Sequence, residues 1–354
     1  MDAKLNWVNI LEKLENNLSL TRLEANWVMA EMMSGEAKKE TVVDLLLKLR
    51  AKGESEQEIA GFVDVMLEKS VKIPVSQDAI DIVGTGGDQL GTVNISTMAA
   101  IVIAASGYPV LKHGSRSASG KTGSSEMLEA LGVKLDLSPE QLAEVFNEIG
   151  ITFFFAPLFH PALKHVAPIR KEMGVPTTFN FLGPLANPVQ PIATALGVAK
   201  SEILPLIAGE MAQRGRSAII FRGADGLDEL TTTSNSYVNL VKNGTITSLD
   251  FNPASLGFQK AQVSDLVGAD AQFNAQVARE LFAGQIELGS PIGEIVALNA
   301  AVGISAYELA KTTEDFSFLD SMQKNYQIAQ EAIASGKALA KVQSWINLSQ
   351  SFGE

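Results

Sequence analysis

The chain has 354 residues, enough for a large core and two domains, with 46% hydrophobic and 19% charged residues, the balance of an ordinary globular protein. Its formal net charge of −12 argues against nucleic acid and anionic membrane as partners, although local glycine amides and a few cations can still hold a small polyanion. It contains no cysteine, which excludes disulfides, thiolate–zinc sites and cysteine nucleophiles.

The first stretch, "MDAKLNWVNILEKLENN", is charged throughout and lacks the apolar run of a signal peptide, so a cytoplasmic protein is expected. Residues 1–70 read as consecutive helices forming a small all-helical domain, with residues 71–354 as the second domain. Trp7, Val8, Leu11 and Leu14 follow helical spacing. Thr21 with Glu24 and Ser55 with Glu58 are capping-box pairs that mark two helix starts, and Gly35 and Gly53 mark stops.

From residue 80 short β-branched runs alternate with helical stretches. "IDIV" precedes a helix over "TMAAIVIAAS"; "YPVLKH" precedes "SEMLEALG" and "SPEQLAEVFNEIG"; "ITFFFA", "IATALGVA" and "SAIIFRG" are further strands, with the helix "SEILPLIAGEMAQRG" before the last. This alternation predicts a mainly parallel sheet flanked by helices, an α/β domain. "YVNLVKNGTITSL" is a hairpin around Asn243-Gly244, which makes the sheet mixed. "IVALNAAVGISAYELA", interrupted by Asn299 and Ser305, reads as a buried helix and not as a membrane span.

Ligands in such sheets sit beyond the carboxyl ends of the strands. After the first strand comes "GTGGDQLGTVNIST", residues 84–97. Gln89 stands where a dinucleotide fingerprint needs glycine, but the glycines can still turn amides toward an anion, and "NIST" opens a helix whose amides face the same way. After the second strand comes "LKHGSRSASGKTGSSE", which carries cations and hydroxyls suited to phosphate. One residue too many separates Gly114 from Gly120-Lys121-Thr122 for a Walker A loop, and Lys121 alone reads equally well as a solvated side chain. In "GADGLDEL", Asp225, Asp228 and Glu229 crowd past a strand end; alone they read as an Asx turn with solvated acids, and beside two phosphate-suited loops they suggest Mg²⁺. Arg170 follows His165 on a helical stretch, and a fork-shaped cation there suits a carboxylate or a surface ion pair. None of His113, His160 and His165 stands in a triad or zinc spacing.

Taken together, "GTGGD…NIST", "KHG…R..S", "HPA…VAPIRKEMG…FN.LGPL.NP" and "GLDE" resemble the anthranilate phosphoribosyltransferases of tryptophan biosynthesis, in the right order and over nearly the whole chain. The resemblance implies a helical domain joined by part of 160–182, a homodimer contacting through it, and transfer of the phosphoribosyl group of 5-phosphoribosyl diphosphate (PRPP) to anthranilate with two Mg²⁺ ions. It implies that Gly84, Gly87, Asp88, Thr92, Asn94, Ile95, Ser96 and Thr97 line the PRPP site. Lys112, His113, Gly114, Ser115, Arg116, Ser117, Ala118, Ser119, Gly120 and Ser124 would close around it. Gly84, Ser115 and Arg170 would meet anthranilate. Ser96 and Glu229 would hold one Mg²⁺, and Asp228 with Glu229 the other. No proton-transfer residue is assigned, because the amine of anthranilate is neutral at cytoplasmic pH. Two positions depart from the family: Ser115 stands where Asn is usual, and Gly120 where a second Ser is frequent. Pyrimidine nucleoside phosphorylase and a non-catalytic nucleic-acid-binding protein are the alternatives on the same scaffold; "GLDE" argues against the first and the net charge against the second.

Overall fold

Both capping boxes close. Thr21 and Ser55 accept from the amides of Glu24 and Glu58 (3.3 Å each), and each glutamate accepts from the cap amide in return (2.7 Å). They start the second and fourth of four helices, α1 (Trp7–Glu15), α2 (Arg22–Ser34), α3 (Lys39–Lys52) and α4 (Glu56–Glu68). This is seen in a computed structural model that describes residues 5–117 and 121–353; Ala118, Ser119 and Gly120 lie outside the described residues. In α1 the inward stripe is Trp7, Ile10, Leu11 and Leu14, the one-face pattern of a helix. Val8 falls off that stripe and is 73% exposed, contrary to the sequence-based expectation.

The sheet has seven strands: β1 (Ile80–Gly84), β2 (Val110–Gly114), β3 (Ile151–Phe155), β4 (Ala193–Gly197), β5 (Ser217–Gly223), β6 (Ser236–Lys242) and β7 (Thr245–Phe251). Their order is β3-β2-β1-β4-β5-β6-β7. The first five are parallel, and β6 and β7 run antiparallel at the edge. The expected hairpin turns at Asn243 (φ 51°) and Gly244 (φ 75°), two left-handed residues in succession, as a twisted two-residue hairpin loop requires.

Between strands run α5 (Ile95–Ala105), α6 (Ser124–Leu131), α7 (Pro139–Ile149), α8 (Ala156–Phe159), α9 (Ala167–Met173), α10 (Phe179–Leu182) and α11 (Leu204–Gln213). After β7 follow α12 (Ala271–Phe282), α13 (Pro291–Lys311), α14 (Phe318–Ala334) and α15 (Lys337–Ser351). Side-chain alternation divides them between two faces of the sheet. Ile80, Ile82, Val110, Phe153, Ala195 and Phe221 pack toward α5 and α13. Val83, Leu196, Ala218 and Ile220 pack toward α11 and α4, so the helical unit shares a core with the far face of the sheet. Ala162, Leu163, Ile169 and Met173 of the 160–182 segment join that same core. The 21-residue α13 is apolar and long enough to cross a membrane, but it is buried between α5 and α14 as a core helix.

The parallel strands put Gly84, Gly114, Phe155 and Gly197 along one edge. Strand order reverses between β1 and β4, and the crevice at such a switch point is where open α/β sheets bind ligands.

Candidate functional site

At the switch point Gly84 and Gly197 stand opposite each other, and the 225–229 loop lies directly on both. A methyl group on Gly197 would overlap the Asp228 carbonyl, and one on Gly84 would overlap the Asp228 carboxylate. The two glycines are therefore required for close approach. The bend that follows is made by Gly86 and Gly87, both at positive φ (68° and 87°). It aims the Gly86 amide at Asp228 Oδ2 (2.6 Å). Glu229 Oε1 accepts from the Ser96 amide in the first turn of α5 (3.2 Å). Asn299 of α13, which interrupts an otherwise apolar helix, braces the next residue: its Nδ2 donates to Leu230 O (2.8 Å) and its Oδ1 accepts from Leu230 N (3.0 Å). Asp225 is used differently. It accepts from Leu227 N (3.0 Å) and from the hydroxyls of Thr231 and Thr233, an Asx turn that shapes the loop.

This corner is electrostatically tense. Burial and the neighbouring Asp88 push the Asp228 carboxyl up to about 7. Burial and Asp228 raise Glu229 well above the usual carboxylate range, and burial raises Asp88. The counter-charge is Lys112, which is only 2% exposed and points down into the sheet instead of out toward solvent. Its Nζ donates to Ile82 O (2.5 Å) and lies 3.4 Å from Ser96 Oγ. Burial lowers its pKa while Asp81, Glu229 and Asp228 oppose that. Asp81, pushed by burial up to about 6, accepts from Asn187 Nδ2 (2.8 Å) and His113 N (3.3 Å). Two buried carboxylates beside a serine hydroxyl form a hard-oxygen donor set for a divalent cation. Among the described residues no three His, Asp or Glu side chains converge on a metal position. That suits an ion such as Mg²⁺, which takes most of its ligands from water and substrate phosphates.

The remaining residues of the first loop contribute less side chain than their positions suggest. Asp88 Oδ1 accepts from Leu90 N (3.2 Å). Thr92 bridges to Val267, and Ile95 is buried in the core and can offer only backbone. The Thr97 hydroxyl, 1% exposed in the first turn of α5, has no hydrogen-bond partner among the described residues. Asn94 is fully engaged: its Nδ2 donates to Thr122 O (3.1 Å) and its Oδ1 accepts from Asn274 Nδ2 (2.8 Å). Thr122 in turn donates to Ala269 O (2.8 Å). The 266–274 segment thus straps the two loops together. Sequence reasoning missed it; the only readable signal there is Asp270 as a helix cap, which says nothing of a partner 180 residues away.

The second loop is open at its described residues. Ser115, Arg116 and Lys121 are exposed. The Arg116 guanidinium faces Glu129 (3.3 Å) and lies over the Phe155 ring (5.9 Å). Glu126 accepts from Ser117 N (3.2 Å) and Gly123 N (2.7 Å), and Ser124 donates to Ser115 O (3.2 Å). His113 is buried, with Nδ1 against Gly183 O (3.2 Å) and its ring edge-on to His160 (5.3 Å). Burial and His160 lower its pKa to about 3, so it stays neutral across the working range.

Arg170, on α9, stacks over Phe179 (5.1 Å) and donates to Asn180 Oδ1 (3.4 Å). Its Nε is buried without a partner, and among the described residues it forms no ion pair. Burial alone lowers its pKa. A guanidinium can pair with a carboxylate through two parallel N–H donors. Among the described residues the hydrogen-bond partner of Arg170 is Asn180, ahead of β4 and outside both glycine loops.

Known proteins share this sequence pattern and fold. The profile described as "Glycosyl transferase family, a/b domain" matches residues 76–339, and "Glycosyl transferase family, helical bundle domain" matches residues 8–70. An anthranilate phosphoribosyltransferase of Leifsonia xyli subsp. xyli is 47% identical over 348 residues, spanning 98% of this chain and 99% of the relative. The crystal structure of anthranilate phosphoribosyltransferase from Thermus thermophilus superposes with a TM-score of 0.87 at 36% identity, covering 96% of this chain and 99% of that one. The enzyme from Saccharomyces cerevisiae, in complex with PRPP and Mg, superposes with a TM-score of 0.86 at 25% identity and 99% coverage of both chains. The chain belongs to the anthranilate phosphoribosyltransferase family, built on the helical-bundle and a/b scaffold of these glycosyl transferases.

Proposed function

We propose that this protein transfers the 5-phosphoribosyl group of PRPP to the amine of anthranilate, giving N-(5-phosphoribosyl)anthranilate and diphosphate, the step of tryptophan biosynthesis that its family carries out. The observation that carries the reading is the Asp228–Glu229 pair, buried at the strand switch and bonded to the Gly86 and Ser96 amides.

In this reading PRPP lies across the β1 and β2 loops with its diphosphate toward the N-terminus of α5, where helix amides suit an anion. The raised carboxyls of Asp228 and Glu229, with Ser96, fit two Mg²⁺ ions: Ser96 and Glu229 for one, Asp228 and Glu229 for the other. Such ions would supply charge neutralisation for the departing diphosphate. Lys112 offsets the negative charge of the corner from below.

The bond from C1 of ribose to the diphosphate oxygen breaks, the anthranilate nitrogen bonds to C1, and its proton leaves to solvent. The amine carries its lone pair already, so orientation and charge stabilisation supply the rate and no base is needed. The burial of His113, with its depressed pKa, accords with that. Arg170 holds the anthranilate carboxylate, Gly84 meets the acceptor through its backbone, and Ser115 presents a short hydroxyl at the rim. We propose further a homodimer through the helical unit, whose exposed Val8, Leu18, Leu23 and Leu47 are apolar surface to cover, and a cytoplasmic setting.

Mixing the protein with PRPP, Mg²⁺ and anthranilate and following anthranilate fluorescence tests the reaction. Loss of signal that depends on all three is expected, with no phosphorolysis of thymidine or uridine. Phosphorolysis without anthranilate turnover would overturn it.

A further inference from the structure

The connection between α3 and α4 is a rigid platform. Gly53 ends α3 at positive φ (81°), and the fully buried Glu58 accepts from Leu20 N (2.8 Å), Ser55 N (2.7 Å) and Lys52 Nζ (2.9 Å). Between these anchors stands Glu54, whose carboxylate accepts a hydrogen bond from the buried Thr178 hydroxyl. Thr178 immediately precedes α10, and α10 begins with Phe179 and Asn180, the side chains that touch Arg170 at 5.1 Å and 3.4 Å. Asn180 Oδ1 also accepts from Thr177 N (2.9 Å), which closes the turn. Arg170 has no acidic partner among the described residues, so its guanidinium stands where this turn puts it.

We propose that Glu54 is a positioning residue for the acceptor: by seating Thr178 it sets the α10 turn, and the turn sets the Arg170 guanidinium. The helical unit would then tune acceptor affinity from outside the pocket. This rests on the reading of Arg170 as the partner of the anthranilate carboxylate. The link runs through the hydroxyl and not through charge, because Glu54 makes no ion pair with Arg170 and an amide oxygen could accept the same bond.

Steady-state kinetics of Glu54→Ala, Thr178→Val, their combination, Glu54→Gln and Arg170→Ala, with both substrates varied, tests it. Glu54→Ala and Thr178→Val should each raise the KM for anthranilate about threefold to tenfold, the scale of one intramolecular hydrogen bond, with the KM for PRPP within about twofold. The double variant should be no worse than the poorer single one, since both act through one contact. Glu54→Gln should restore most of the affinity. If Arg170→Ala raises the anthranilate KM while neither Glu54→Ala nor Thr178→Val does, the positioning role is wrong and the Arg170 reading stands. If Arg170→Ala changes nothing, that reading falls and the proposal with it. Equal rises in both KM values, or no rescue by Glu54→Gln, would mean a general scaffold role and overturn the proposal. Thr178→Val, nearly isosteric, decides the matter should Glu54→Ala fail to fold.

Discussion

Between Gly84 and Ser96 the backbone donates amides to the carboxylates of the 225–230 loop, which Asn299 braces at Leu230, whereas after β2 the side chains of Ser115, Arg116 and Lys121 stand exposed. Both loops follow parallel strands and both are rich in glycine and hydroxyls. They differ in where their charge sits. The first gathers buried carboxylates around a buried lysine; the second keeps its cations at the surface, one of them against Glu129. The first loop is thus organised around buried charge, while the second holds its described cations at the surface. The lesson is that preorganisation is concentrated where leaving-group charge must be met.

The strongest test of that contrast is to remove the buried acids. Asp228→Asn with Glu229→Gln should cost about 2–4 kcal/mol of transition-state stabilisation, read as kcat/KM at saturating Mg²⁺. Near-normal turnover would sink the metal assignment. Next in size, Gly197→Ala should displace the Asp228 backbone and lower kcat about a hundredfold, the cost of a misplacement near 1 Å, with little change in the anthranilate KM. A silent substitution would show that the corner tolerates movement.

A third expectation concerns pH. The folded Asp228 carboxyl titrates near 7, above its ordinary value of 3.8, so the native state holds a proton that the unfolded chain has lost between those values. Stability of the metal-free protein should therefore fall as pH rises through this window and level off above it. Melting temperature in chelator from pH 5 to 8 checks this: the wild type should slope downward, Asp228→Asn should be flatter, and added Mg²⁺ should recover the loss at high pH. Equal slopes for both proteins would contradict the raised carboxyl. The smallest effect belongs to the open loop. Ser115→Asn should lower the anthranilate KM a few-fold, about one added hydrogen bond, and leave PRPP binding nearly unchanged. An unaltered anthranilate KM would remove Ser115 from the acceptor wall.

Much of the fold was legible. The two capping boxes, the Asn243-Gly244 hairpin, the strand–helix alternation and the buried character of α13 all appear where the sequence pointed. Less of the site was. Lys112 reads as a loop cation, yet pleat alternation turns it into the sheet beside Ile82. Asp225 reads as a third metal acid, yet the hydroxyls of Thr231 and Thr233 take one of its oxygens and the Leu227 amide the other, closing a turn. Asn299 reads as a flaw in an apolar helix and turns out to hold Leu230. In each case residue type named the chemistry and direction decided its use.

By itself the sequence determined what can be closed within a few residues: caps, turns, helical stripes and the glycine bends, whose hydrogen bonds and φ values depend on near neighbours. Only the tertiary structure decided which distant segments meet at the strand switch: Gly84 against Gly197, Asp228 on the Gly86 amide 142 residues away, and Asn94 on Asn274. Those contacts follow from sheet register and strand order, which are set by burying both faces of the sheet at once and leave no local trace in the chain.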